Sequence, residues 1–127
     1  MNPLLVARLA VAIALVLNVK RGLEIPFPPE SAHEWTAFSI AIVLGVLEGT
    51  ALLVLGSRSR SARWFVYSLG GLGLLAAVTH VPMLLHMVGD NEPTAFLALA
   101  LSEALALAVA GGLKWLDDRR SAPTLPA

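Results

Sequence analysis

Four side chains in this sequence could do chemistry where chemistry is costly. Arg8, Glu48, His80 and Glu103 each stand inside a long apolar run. A charge at the centre of a lipid bilayer costs about 3 kcal/mol on insertion scales, and more by other routes. Such a group must pair, line a wet cavity or give up its charge. An acid, a base and an imidazole together can handle a proton, hold a polar headgroup or fix helix register. Glu48 and Glu103 have short stems and cannot easily reach the interface. Arg8 has a long one and could snorkel to nearby headgroups. Counting at 1.5 Å per residue from the ends of their apolar runs puts Arg8 and Glu48 roughly 8–12 Å from one membrane face. The same count puts His80 and Glu103 roughly 12–15 Å from the other. Two depth-matched pairs are expected, Arg8 with Glu48 and His80 with Glu103.

A second constellation is His80, Met83, His86 and Met87. His80, Met83 and Met87 follow at i, i+3 and i+7, on one helical face. Imidazole and thioether ligands suit copper(I). Methionine at that spacing is more often packing, so no metal is assigned, and these three stay as copper candidates. Pro82 removes a backbone donor there and should kink its helix.

The elements that must carry these residues are apolar helices. The chain has 127 residues, of which 57% are hydrophobic and 14% charged. Its mean hydropathy is +0.75. Soluble domains have about 25% charged residues, and a span needs about 20 apolar residues. Four spans are expected, at about 3–21, 32–55, 62–88 and 92–116, packed as an all-α, up-down four-helix transmembrane bundle. Residues 1–118 form this single domain, and 119–127 are expected to be a disordered tail. The run Leu9–Leu17 after Arg8 has the look of a secretory signal, but Asn18-Val19-Lys20-Arg21 stands where a small-residue cleavage site should be. It is read as a retained helix, with Lys20 and Arg21 as interfacial anchors and Gly22 as its stop. Ser31-Ala32-His33-Glu34 has capping-box spacing and should start the second span, with His33 exposed in the capping turn. Asp90-Asn91-Glu92-Pro93 suits the start of the fourth.

Small residues accompany the polar ones at helical spacing. Ala41, Gly45 and Ala51 surround Glu48. Gly73, Ala76 and Ala77 lead to His80, and Ala100, Ala106 and Ala110 surround Glu103. Small residues mark close approach of membrane helices, so the polar groups should face the packed interior. Gly45-x-x-x-Gly49 also has close-contact spacing.

Composition excludes several functions. Net charge is zero, which leaves no basic patch for nucleic acid. There is no cysteine, so disulfides, thiol catalysis and any Cys-ligated or thioether-linked cofactor are ruled out. No catalytic set is visible, and the reading leans away from an enzyme. The segment between the second and third spans and the C-terminal flank carry Arg58, Arg60, Arg63, Lys114, Arg119 and Arg120, against Lys20 and Arg21 on the other side. Lys and Arg gather on the cytoplasmic side, so both termini are expected there, in a bacterial cytoplasmic membrane. Trp64 and Trp115 then fall near the inner interface and Trp35 near the outer one.

The pattern resembles the DoxX-like family of small four-helix membrane proteins. The resemblance rests on Arg8 and Lys20 in the first span, Gly45-Val46-Leu47-Glu48 in the second, Ala77-Val78-Thr79-His80 in the third, and the acidic proline turn before the fourth. It covers roughly residues 4 to 113. The family usually has a glycine shortly before the first-span lysine, and here Asn18 stands nearby. The resemblance implies association with oxidoreductases or quinone-linked redox chemistry. Three functions compete: an accessory or interaction subunit of a larger membrane complex, a protein binding quinone or another amphipathic ligand between its helices, and a small proton-coupled transporter. The expected partners are the bilayer and other membrane subunits or further copies of the chain. Because the native chain has no cysteine, Ser59→Cys gives a unique label site in the second loop. A membrane-impermeant maleimide should leave it unlabelled in intact cells and label it after permeabilisation; labelling from outside would reverse the orientation.

Overall fold

The computed structural model describes residues 2–86 and 91–121; for Met83, Leu84, His86, 91–96 and Ser121 it describes the backbone alone. The described residues form α1 (Pro3–Leu23), α2 (Ala32–Val54), α3 (Arg60–His86) and α4 (Asn91–Ser121), with no strand among them. Each helix contains a stretch long and apolar enough to cross a membrane. The shortest, α1 with 21 residues, spans roughly 32 Å, about the thickness of the hydrocarbon core.

Local chemistry sets the helix starts. Asn2 caps α1 by accepting from the Leu4 N–H at 3.0 Å, with Pro3 in the first turn. The Ser31 capping box forms as its spacing requires. Ser31 Oγ accepts from the Glu34 N–H at 3.1 Å, and Glu34 Oε1 accepts from the Ser31 N–H at 3.3 Å. Gly22 does not stop α1, which runs on to Leu23. α4 continues past Leu116 to Ser121, so 119–121 are helical and not part of a tail; 122–127 lie outside the described residues. The extension has two side-chain supports: the Lys114–Asp118 ion pair at i, i+4 and Arg119 stacked 4.8 Å over the Trp115 ring.

The bundle is sorted by size. Ala7, Ala14 and Ala51 are fully buried, whereas Leu53 is 87% exposed. Large apolar side chains facing out and small ones facing in are what a lipid solvent requires, since hydrocarbon gives Leu no reason to hide. Hydroxyls on the outer faces bond back into their own helices, Thr36 to the Ala32 carbonyl and Thr50 to that of Val46, both at 2.8 Å. These two hydroxyls need no water to be satisfied.

Packing is uneven around the ring. α3 lies along α4, α4 along α1 and α1 along α2, while α2 and α3 barely meet. The α3–α4 seam is the tightest. A Cβ on Gly70 would fall 2.8 Å from the Gly111 Cα, and one on Gly73 only 2.6 Å from the Ala104 carbonyl oxygen. The Gly45-x-x-x-Gly49 spacing does not make such a seam: Gly49 faces open space, and Gly45 makes room for the Asn18 amide. Backbone atoms cannot retreat as side chains do. Gly73→Ala should therefore destabilise the bundle by about 1–3 kcal/mol, while Gly49→Ala should leave it unchanged or firmer. Unfolding followed by circular dichroism in detergent distinguishes the two; equal effects would contradict the assigned seam.

Candidate functional site

The interior polar cluster is built from three helices. The inward face of α1 runs through Ala7, Val11, Ala14, Asn18 and Arg21, all buried. Asn18 Nδ2 donates to the Ala41 carbonyl of α2 at 2.8 Å, and its Oδ1 accepts from Arg21 Nη2 at 3.0 Å. Held this way, Arg21 turns inward. Its Nη1 stands 2.7 Å from Glu103 Oε1 of α4. Arg21 is 8% exposed, Glu103 2% and Glu48 of α2 0%. The Glu48 carboxyl lies close enough to Glu103 and Arg21 to interact electrostatically with both.

Charge arithmetic constrains this cluster. One guanidinium faces two acids. The Arg21–Glu103 contact is an ion pair by distance, but no aligned N–H reaches the carboxyl. As carboxylates, all four acidic oxygens therefore lack a hydrogen-bond partner. Two carboxylates facing each other repel, and the one guanidinium can offset only one of them.

The expected pairs are therefore corrected. Arg8 is not buried beside Glu48. It is exposed, and its Nη2 lies 2.8 Å from where a Cβ on Gly56 would stand. Its long stem carries the charge to the C-terminal end of α2, where a cation is favoured. Glu103 takes Arg21, not His80, as its ionic partner. His80 is half-buried, and its Nδ1 sits 2.6 Å from the Ala76 carbonyl of its own helix. That oxygen can only accept, so Nδ1 carries a proton there and Nε2 of the neutral ring is its acceptor nitrogen.

Two residues assigned to the flanks belong to the interior. Arg21 is not an interfacial anchor, although Lys20 beside it is exposed. The signal was its register, three residues after Asn18 and seven after Ala14. Lys114 is 1% exposed. Its Nζ donates to the Ser57 carbonyl at 3.1 Å and pairs with Asp118 at 2.9 Å, while the Tyr67 hydroxyl donates to the other Asp118 oxygen. Arg8 and Lys114 thus both place positive charge at the C-terminus of α2. Of the copper constellation, the side chains of Met83, His86 and Met87 lie outside the described residues. Among the described residues no group of three or more His, Asp or Glu could hold a metal.

The sparse contact between α2 and α3 leaves a cavity of about 630 Å³. Its walls are apolar, with Ile40 and Leu44 from α2 and Leu72 and Leu75 from α3. Its polar groups are Arg21 and Glu103 in the interior and His33, Thr36, Thr79 and His80 on the side where α2 begins. Ile40, Leu72 and Leu75 are each half or more exposed, so the cavity opens sideways toward the lipid. An apolar slot with a few convergent polar groups fits an amphipathic molecule better than an ion. Comparison of the chain with protein-family models, curated proteins and solved structures finds no match to any of them.

Replacing Glu48 by its neutral isostere should cost little. Glu48→Gln should shift the unfolding free energy by less than about 1 kcal/mol. Asn18→Leu strands a buried guanidinium donor and should cost about 1–3 kcal/mol. Denaturant unfolding in micelles measures both, and the reverse order would contradict this geometry.

Proposed function

We propose that this chain is a small multi-pass membrane protein that binds an amphipathic ligand between α2 and α3. The headgroup lies at Arg21, Glu103 and His80, and the tail leaves toward the lipid. The observation that carries this reading is the lateral cavity itself: apolar walls end on a buried ion pair and on an imidazole with a nitrogen to offer. A quinone is the ligand class that the DoxX-like resemblance implies. Its carbonyls would accept from Arg21 or, once reduced, its hydroxyls would donate to Glu103 or to His80 Nε2. Glu103 and His80 beside it would give such a headgroup a place to exchange a proton.

The accessory-subunit reading drew on small-residue faces available for a partner. Those faces are largely used within the chain, with Gly70, Gly73 and Gly111 joining α3 to α4 and Ala7 and Ala14 filling the interior. Ligand binding is therefore placed first. The reading keeps both termini in the cytoplasm. Arg58, Arg60, Arg63, Arg119 and Arg120 gather at the end of the bundle that holds Pro3 and Ser121. With Arg21 turned inward, Lys20 is the remaining basic anchor of the opposite end of α1.

The test is binding of a decyl-substituted benzoquinone to the full chain in mild detergent, followed by native mass spectrometry. One molecule should bind saturably. Ala76→Phe, which fills the cavity, should abolish binding, and His80→Ala should weaken it about tenfold through one lost hydrogen bond. Non-saturable uptake that Ala76→Phe does not change would refute the reading.

A further inference from the structure

A second cavity, of about 690 Å³, lies between α3 and α4 near the C-terminal end of α4, on a different face from the first. Its residues are graded along the bundle axis. Arg63 and Arg119 stand nearest the helix ends, Trp64 and Trp115 come next, and Gly71 and Gly112 lie deeper. A Cβ on Gly71 or Gly112 would meet nothing within 4 Å, so these two glycines leave an open groove beside the packed Gly70–Gly111 seam that also lines the cavity. Trp64 is 60% exposed and Trp115 46%, as indoles at a headgroup boundary are.

The charges leave this cavity cationic. Its acid, Asp118, is occupied by Lys114 at 2.9 Å and by the Tyr67 hydroxyl. Arg63 and Arg119 remain uncompensated by it. Arg119 is also held in place, stacked 4.8 Å over the Trp115 ring. Two guanidiniums above an apolar groove match a phosphate diester above an acyl chain, since guanidinium forks suit phosphate oxygens. A second copy of the chain fits less well. Two-fold pairing on this face would set the same arginines against each other.

We infer that the α3–α4 cavity is a site for an anionic phospholipid. Its phosphate lies between Arg63 and Arg119, and one acyl chain runs over Gly112 and Gly71. The inference is independent of the cavity between α2 and α3. The experiment is native mass spectrometry of the full chain in mild detergent with equimolar phosphatidylglycerol and phosphatidylcholine of the same chain length. Phosphatidylglycerol adducts should exceed phosphatidylcholine adducts about tenfold. The preference should fall to near parity in the Arg63→Gln/Arg119→Gln double variant. It should survive in Arg58→Gln/Arg60→Gln, whose charges lie outside the cavity. Gly112→Leu, or Gly71→Leu if the first does not fold, should lose the adducts of both lipids. Equal retention of the two lipids by the native chain would overturn the site. So would equal loss of preference in both arginine pairs, which would mean diffuse surface charge. A change of oligomeric state on filling the groove, with lipid retention unaltered, would assign the face to a second copy instead.

Discussion

A charge that cannot reach water must find its opposite, and in this chain that requirement joins Arg21 of α1 to Glu103 of α4. Hydrocarbon surrounds most of the bundle, so apolar burial contributes little to holding helices together. What remains is close packing, hydrogen bonding and this ion pair. Asn18 extends the pair to the α2 backbone through the Ala41 carbonyl, and Glu48 brings a second α2 group to it. Three helices are thereby fixed around one polar centre. α3 is attached by other means, through glycines that let its backbone lie against α4.

This division of labour explains the cavities. α2 is held to α1 and α3 to α4, and no comparable contact joins α2 to α3. The space between them is what two separately anchored helix pairs leave open. It reaches the polar centre because that centre sits where the pairs meet. Near the other ends of α2 and α4 a second polar group, Lys114 with Asp118, Tyr67 and the Ser57 carbonyl, ties α4 to α3 and to the turn after α2. The cavity between α3 and α4 lies beside that group, and its arginines are cationic because Lys114 has taken the local acid.

The helices were legible in the sequence because hydropathy and span length are direct consequences of bilayer thickness. The Ser31 capping box was legible because it is a local hydrogen-bond pattern. The site was legible only in part. Glu48 and Glu103 were recognisable as buried acids, since their stems are too short to escape. Their partner was not, because Arg21 sits in a basic flank beside Lys20 and only its register with Asn18 and Ala14 separates the two. Depth counting failed for Arg8 because a long side chain carries its charge well away from its Cα, here to Gly56. The glycine seam was hidden for a related reason. Gly45-x-x-x-Gly49 and the glycines of α3 and α4 look alike in sequence, and packing alone decides which meet a neighbouring backbone.

The central claim is that Arg21 and Glu103 hold the bundle as a pair. A double-mutant cycle on unfolding free energy, with Arg21→Met, Glu103→Gln and the two combined, measures that coupling directly. Arg21→Met leaves Glu103 without its cation, Glu103→Gln leaves Arg21 with Glu48 as its remaining acid, and the combined change removes both partners of the pair. A coupling of about 2 kcal/mol is predicted. Single effects that add to within about 0.5 kcal/mol would mean that the two residues act independently, and the account would fail at its foundation.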